Sequence, residues 1–282
     1  MRSNKEILDL TLKIAKKNHV EAIALNGSRA NQNSRKDKFQ DYDIVYFVET
    51  NQMQKLLKHR GWLKEFGQTI VMQVPGDFDS EPNDGYDFFT FLMLFKDGNR
   101  IDLGLCPLDK ISQWQKNDPI GQVLYDPRHL LPDNLMSSDE IYYQNKPTKK
   151  EFLETCNEFW WVSTYVVKGI KRKEMLYATD HFYQNCFQEF LKIVGFAVAQ
   201  KYDYQINLGK NHKYLFDCLT EDEIEQIKQI LNMSDYQQIT DSLLLMQELF
   251  NNYAQQFSEA SGYDYDSTEA VNVMEYTSKQ LK

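Results

Sequence analysis

The chain has 282 residues, enough for about two domains at the usual size of roughly 150 residues each. Its 42% hydrophobic and 26% charged residues are typical of a soluble globular protein. A formal net charge of −9 argues against nucleic acid as a partner, because such proteins carry clustered basic surface. No apolar run approaches the ~20 residues of a membrane span, and no secretory core is present, so we expect a cytoplasmic protein with no membrane partner.

The first half alternates short apolar runs with helical patterns. Helical spacing of apolar residues predicts helices over 3–17 and 53–66. Strand-like runs occupy residues 22–25, 42–48, 69–74, 86–95 and 100–106. Residues 96–99, Lys-Asp-Gly-Asn, predict a hairpin turn between the last two strands. We therefore expect a mixed sheet that carries a few helices.

The second half has helical spacing almost throughout. Residues 126–147 contain three prolines and little periodicity, which is typical of a connection between domains. Beyond it, helices are predicted over 148–171, 174–201, 211–219, 221–231 and 236–260. The predicted fold class is α/β (α+β), with a mixed-sheet domain over 1–135 and an all-α bundle over 136–282.

Residues 25–48 contain the first chemically informative pattern. Gly27 and Ser28 follow a predicted strand, where a glycine lets the backbone approach a phosphate and the serine hydroxyl can donate to it. After a spacer of twelve residues, Asp41 and Asp43 open the next strand on the same face, since side chains at i and i+2 point the same way. Two carboxylates this close repel, and Mg²⁺ is a natural compensation, because it binds one or two carboxylates together with substrate phosphates.

A third carboxylate interrupts the apolar strand over 100–106. Ile101 and Leu103 should face the core, which leaves Asp102 on the opposite face. If this strand lies beside the one that carries Asp41 and Asp43, the three carboxylates converge on one site. Such a site can hold two magnesium ions for phosphoryl transfer.

Each of these features has a simpler interpretation. A Gly-Ser pair after a strand is most often a plain turn, an Asp-x-Asp at a strand start is usually a solvated edge, and Asp102 could simply pair with an arginine. Arg29 could contact phosphate or pair with Asp41. The order and spacing of the three features together favour a shared active site over coincidence.

The same residues resemble the nucleotidyltransferase superfamily, and GSRANQNSRKDKFQDYDIVYFV resembles the aminoglycoside 6-adenylyltransferases, which adenylylate streptomycin. The resemblance continues through residues 95–105, 156–181 and 208–215. It implies a nucleotidyltransferase domain followed by a helical domain that binds the antibiotic. It also implies that the three aspartates bind Mg²⁺, that Gly27 and Ser28 hold the triphosphate of ATP, and that Asp180 is the base that deprotonates the acceptor hydroxyl.

Two lysines of the second half are further candidates for nucleotide binding. Lys168 would either neutralise phosphate or simply suit the dipole at a helix C-terminus. Lys213 lies in a basic cluster after a glycine, which would either bind triphosphate or form a surface turn.

The predicted reaction is in-line attack of a hydroxyl group on the α-phosphorus of ATP, with a small cationic aminoglycoside as the acceptor. Two alternatives stay open at this point. The acceptor could be another small molecule or a protein hydroxyl, or the chain could be a catalytically silent nucleotide-binding protein.

Overall fold

The structure is a computed structural model that describes residues 1–77 and 88–281. The chain forms two compact units, Met1–Asp139 and Glu140–Lys282, and each is described by itself. Within the described ranges, no helix is both long and apolar enough to cross a membrane.

The first unit is built on a six-stranded mixed sheet in the order β3-β4-β5-β2-β1-β6. The strands are β1 (Ala22–Asn26), β2 (Tyr42–Val48), β3 (Thr69–Gln73), β4 (Phe89–Phe95), β5 (Arg100–Pro107) and β6 (Gly121–Tyr125). Its α-helices are α1 (Asn4–Lys17), α2 (Gly27–Ala30), α3 (Thr50–Lys58) and α4 (Ile111–Asn117). β2 and β5 are parallel neighbours, and every other pair in the sheet is antiparallel.

Both faces of this sheet are covered, and side chains that alternate along β2 pack into a different cluster on each face. Tyr42, Ile44 and Tyr46 are buried in one core cluster, where the Tyr46 hydroxyl donates to the main-chain oxygen of Thr11 on α1 at 2.7 Å. Phe47 points to the opposite face and packs edge-on against Trp114 of α4, with ring centroids 4.8 Å apart. The face opposite Tyr42 also carries Asp43, so the sheet presents this carboxylate beside an apolar cluster rather than within the main core.

The second unit is helical. It contains α5 (Lys149–Arg172), α6 (Met175–His181), α7 (Phe187–Lys201), α8 (Glu221–Ile230), α9 (Tyr236–Ser261) and α10 (Ser267–Leu281). α5 begins at a capping box, in which Thr148 and Glu151 satisfy each other's backbone amides. The rings of Phe159 and Phe250 stack at 3.8 Å in a continuous apolar core. The predicted fold class, a mixed sheet followed by a helical bundle, is confirmed.

Two predicted helices are wrong in kind. The helix expected over 53–66 ends at Lys58 and continues as a 3₁₀ helix over Arg60–Phe66, which buries Trp62, Leu63 and Phe66. The helix expected over 211–219 is a pair of 3₁₀ turns, because Asn211 and His212 adopt positive φ angles of 56° and 59°. An α-helix cannot pass through that conformation.

Other boundaries differ less. The helix expected over 174–201 is interrupted by a π-helical turn at Phe182–Cys186. α4, β6 and α10, which are short or weakly periodic, were not expected from the sequence. Two residues of the strand expected over 86–95, residues 86 and 87, lie outside the described residues, and Phe89–Phe95 forms β4.

Candidate active site

The site is a row of side chains that crosses the sheet at one end of its central strands. In the antiparallel pair β1–β2, Asn26 is the partner of Asp43, and in the parallel pair β2–β5, Asp43 is the partner of Asp102. Directly opposed residues share a face of the sheet, with Cβ atoms about 4.5–5.5 Å apart. The register alone therefore places Asn26, Asp43 and Asp102 side by side.

Asp41 lies directly before the first residue of β2 and belongs to the same cluster. Asp41, Asp43 and Asp102 each offer a carboxylate oxygen, and these three oxygens all lie within 4.8 Å of one another. The side chains of Asp41 and Asp102 are 32% and 15% exposed, so the cluster is open to solvent on one side. The convergence expected from the spacing of the sequence is present in the structure, whereas the metal-binding role of the three residues stays a prediction.

The electrostatics of the cluster are those of crowded like charges. Burial, followed by the charges of Asp41 and Asp102, raises the pKa of Asp43 from 3.8 to about 7. The charge of Asp118 acts in the same direction, and that of Arg100 opposes it. A bound cation would relieve this repulsion, as the sequence analysis expected.

Arg100 supplies part of that compensation within the chain. Its Nε and Nη2 atoms donate to the two carboxylate oxygens of Asp102 at 2.8 and 2.7 Å, and its Nε lies 3.6 Å from an oxygen of Asp41. The sequence analysis named an arginine partner for Asp102 only in general terms. The signal was present, since a residue two positions before Asp102 shares its face of the strand.

Gly27 lies directly against Asp43. It adopts a φ of +64°, and a Cβ atom at this position would lie 2.0 Å from Oδ2 of Asp43. Both observations require glycine here, because L-residues with a side chain rarely adopt this φ and none would fit the space. The Gly-Ser turn is therefore part of the carboxylate site and not a remote loop.

Ser28 and Arg29 follow Gly27 in the short helix α2. The Ser28 hydroxyl accepts a hydrogen bond from Nε2 of Gln40 at 3.1 Å, which leaves its own proton free to donate. Arg29 donates to the main-chain oxygens of Asp41 and Gln40 at 2.9 and 2.7 Å, and its guanidinium lies 3.7 Å from the ring centroid of Tyr42. Of the two interpretations of Arg29, the structure therefore shows an interaction with Asp41, through its backbone rather than its carboxylate. Binding of nucleotide by either residue stays a prediction.

In the second unit, Lys168 and the neighbour of Asp180, His181, both pack against Tyr165 and Tyr177. Asp180 is exposed near the end of α6. Its neighbour His181 packs against Tyr165 and Tyr177, with ring centroids 5.3 and 4.3 Å apart. The Nζ atom of Lys168 lies 5.2 and 5.5 Å from the centroids of the same two tyrosines. The roles of Asp180 as base and Lys168 as phosphate ligand stay predictions.

Lys213 lies on a different element of the second unit. It follows the 3₁₀ turn Lys210–His212 and is exposed, with Nζ 4.9 Å from the ring centroid of Tyr214. The structure therefore distributes the three second-unit candidates over α5, α6 and a turn.

The donor set in the first unit fits a divalent cation. Three carboxylate oxygens are the hard ligands that Mg²⁺ prefers, and the backbone of Gly27 packs directly against one of the three side chains, Asp43. Carboxylates on two adjacent strands of a mixed sheet, beside a Gly-Ser turn, match the pattern of the nucleotidyltransferase superfamily that the sequence resembles.

Comparison with known proteins identifies the family. The family described as streptomycin adenylyltransferase matches residues 1–280. An aminoglycoside 6-adenylyltransferase from Staphylococcus aureus is 35% identical over 271 residues, 95% of each chain. One from Bacillus subtilis (strain 168) is 35% identical over 267 residues, 94% of this chain and 93% of the relative. The crystal structure of an aminoglycoside 6-adenyltransferase from Bacillus subtilis covers 99% of both chains, at 31% identity and a TM-score of 0.49.

The chain therefore belongs to the streptomycin adenylyltransferase family. This result confirms the resemblance found in the sequence, and it makes the chain an enzyme of the nucleotidyltransferase class.

Proposed function

We propose that the chain transfers AMP from ATP to a hydroxyl group of an aminoglycoside such as streptomycin, in a reaction that depends on Mg²⁺. The observation that carries the proposal is the convergence of Asp41, Asp43 and Asp102 beside Gly27. The names of the relatives support the choice of acceptor.

The three aspartates would hold Mg²⁺. When bound, the ion would neutralise charge on the triphosphate and increase the acidity of the acceptor hydroxyl. Gly27 leaves the backbone free to approach phosphate oxygens, and the Ser28 hydroxyl has a proton to donate to them.

The transfer balances without a further co-reactant. The acceptor oxygen forms a bond to the α-phosphorus, the bond from that phosphorus to the bridging oxygen breaks, and pyrophosphate leaves. The hydroxyl proton passes to Asp180 as the general base. Because Asp180 is exposed, it can release this proton to solvent afterwards. A cationic acceptor also suits a chain with a net charge of −9.

The test is pyrophosphate release with ATP, Mg²⁺ and streptomycin, together with mass spectrometry of the acceptor. We expect a gain of one adenylyl group and no release without acceptor. Asp43→Ala should lower the rate by at least about 1,000-fold, because positioned charges supply most of the catalysis in such reactions. A matched control is Asp9→Asn, which removes an exposed carboxylate on α1 and should keep full activity.

Two results would contradict the proposal. Wild-type activity of Asp43→Ala would show that the reaction does not need a metal ion bound by Asp43. If the wild-type protein modifies none of the aminoglycosides in a panel, aminoglycosides are excluded as its acceptor substrates.

A further inference from the structure

Asn26 ends β1 immediately before Gly27 and is buried, with 2% of its surface exposed. Its Oδ1 atom is buried and has no hydrogen-bond partner among the residues that the structure describes. A buried carbonyl oxygen without a donor destabilises the folded protein. Such an atom needs an explanation in terms of a group that the chain itself does not supply.

The usual structural role of an asparagine at this position does not explain it. Asn26 is the N-cap residue of α2, where an asparagine side chain normally accepts a hydrogen bond from a backbone amide of the first turn. In this structure Asn26 makes no such side-chain bond. Its oxygen is therefore not used to begin the helix.

The position of Asn26 in the sheet indicates what the oxygen is available for. Asn26 is the register partner of Asp43 on one side and of Gly121 on the other. Gly121 carries no side chain, and a Cβ atom there would lie 3.3 Å from Cδ1 of Leu135 and 3.7 Å from Oδ1 of Asn26. Neither neighbouring strand therefore supplies a donor to Oδ1, and Asn26 continues on β1 the row of polar side chains formed by Asp43 and Asp102.

The amide nitrogen of Asn26 connects this row to Asp118. Nδ2 lies 3.5 Å from the main-chain oxygen of Asp118, and the Asp118 carboxyl also accepts a hydrogen bond from Asn26. Burial raises the pKa of Asp118, and its charge in turn raises the pKa of Asp43. Asp118 is therefore a fourth carboxylate that acts on Asp43, and Asn26 lies between the two.

We propose that Asn26 is a positioning residue of the cation site: its Oδ1 accepts a hydrogen bond from water bound to Mg²⁺, while its Nδ2 fixes Asp118. The inference rests on the proposed function, since it assumes that Asp43 binds the ion. Mg²⁺ keeps several of its waters in protein sites, and these waters are strong hydrogen-bond donors. Groups that orient the surroundings of a metal in this way typically change its affinity by about 10–100-fold.

The experiment measures Mg²⁺ affinity by calorimetry, on the full chain, in the presence of a non-hydrolysable ATP analogue. Asn26→Leu keeps the shape of the side chain and removes both polar atoms, so its melting temperature should be unchanged or higher. Its Mg²⁺ affinity should fall about tenfold.

Thr11→Val is the matched control. Thr11 is also buried in the first unit and also has a side-chain oxygen without a partner, but it lies on α1, against the face that carries Tyr46. Its replacement should leave Mg²⁺ affinity unchanged. A purely structural cost of unpartnered oxygens would make the two variants behave alike.

A folded Asn26→Leu protein with wild-type Mg²⁺ affinity would overturn the inference and leave the proposed function intact. If that variant does not fold, Asn26→Ala, which also removes both polar atoms, decides the matter: an affinity reduced about tenfold supports the inference, and an unchanged affinity overturns it. Failure of the wild-type protein to bind Mg²⁺ with the analogue would instead contradict the proposed function itself.

Discussion

The two units of this chain differ in how their sequence determines the positions of candidate functional groups. In the first unit, Asp43 and Asp102 are register partners on adjacent parallel strands, so the pairing of the strands brings their side chains together. In the second unit, Lys168 lies on α5, Asp180 lies on α6, and Lys213 directly follows a 3₁₀ turn. Strands convert sequence spacing into a shared face with a period of two, whereas the placement of groups on separate helices depends on packing that spacing does not specify.

The largest expected loss of activity that tests the difference between the two units is at Asp180. If it is the general base, Asp180→Asn should lower the rate of transfer by about 100–10,000-fold, while nucleotide binding is kept. The measurement is steady-state pyrophosphate release alongside calorimetry with ATP and Mg²⁺. A variant with full activity would limit the catalytic groups to the first unit.

The next effect concerns the contact between Gly27 and Asp43. Gly27→Ala places a Cβ atom 2.0 Å from Oδ2 of Asp43 at a φ of +64°. Asp43 must move by about an ångström, and displacements of this size can cost about 100-fold in rate. Gly61→Ala is the control, because nothing lies within 4 Å of a Cβ atom there and its activity should be kept. Equal activity of the two variants would mean that Asp43 tolerates displacement.

Only part of the site could be predicted from the sequence. The strand that carries Asp43 and the alternation around Asp102 were predictable, because an apolar run with a period of two fixes which face each residue takes. The contacts of Asn26 and Asp118 were not, since β6, which lies beside Asn26, was not predicted and Asp118 precedes that strand by three residues. The turn at Asn211 was missed for another reason: positive φ angles in residues other than glycine leave only a weak trace in the sequence.

A smaller effect concerns pH and the stability of the metal-free protein. The pKa of Asp43 is raised to about 7 in the folded state from 3.8. The folded protein therefore keeps this proton at a pH where the unfolded chain has lost it, and stability falls as pH rises from about 4 to about 7. Asp43→Asn lacks this dependence, so the excess of its melting temperature over wild type should grow between about pH 5 and pH 8.

Thermal unfolding in the presence of a chelator measures this difference. Addition of Mg²⁺ at about pH 8 should raise the melting temperature of wild type and leave that of Asp43→Asn unchanged. A gap between the two proteins that stays constant with pH would show that Asp43 is ionised normally.

The smallest expected effect is at Arg100, which is about half exposed and pairs with the less exposed Asp102. Arg100→Met should destabilise the metal-free protein by about 1 kcal/mol, since solvent at the exposed guanidinium weakens the pair. The stabilisation caused by Mg²⁺ should become larger, because the guanidinium no longer competes for the carboxylates. A melting curve with and without Mg²⁺ checks both effects, and a smaller Mg²⁺ effect than in wild type would indicate that Arg100 helps to bind the ion.

The most direct measurement is a crystal structure of the full chain with Mn²⁺ and a non-hydrolysable ATP analogue, recorded at a wavelength where manganese scatters anomalously. We expect an anomalous peak within coordination distance of oxygens from Asp41, Asp43 and Asp102, with triphosphate beside Gly27. A nucleotide bound elsewhere, with Arg100 still paired to Asp102 and no peak among the three carboxylates, would contradict the account.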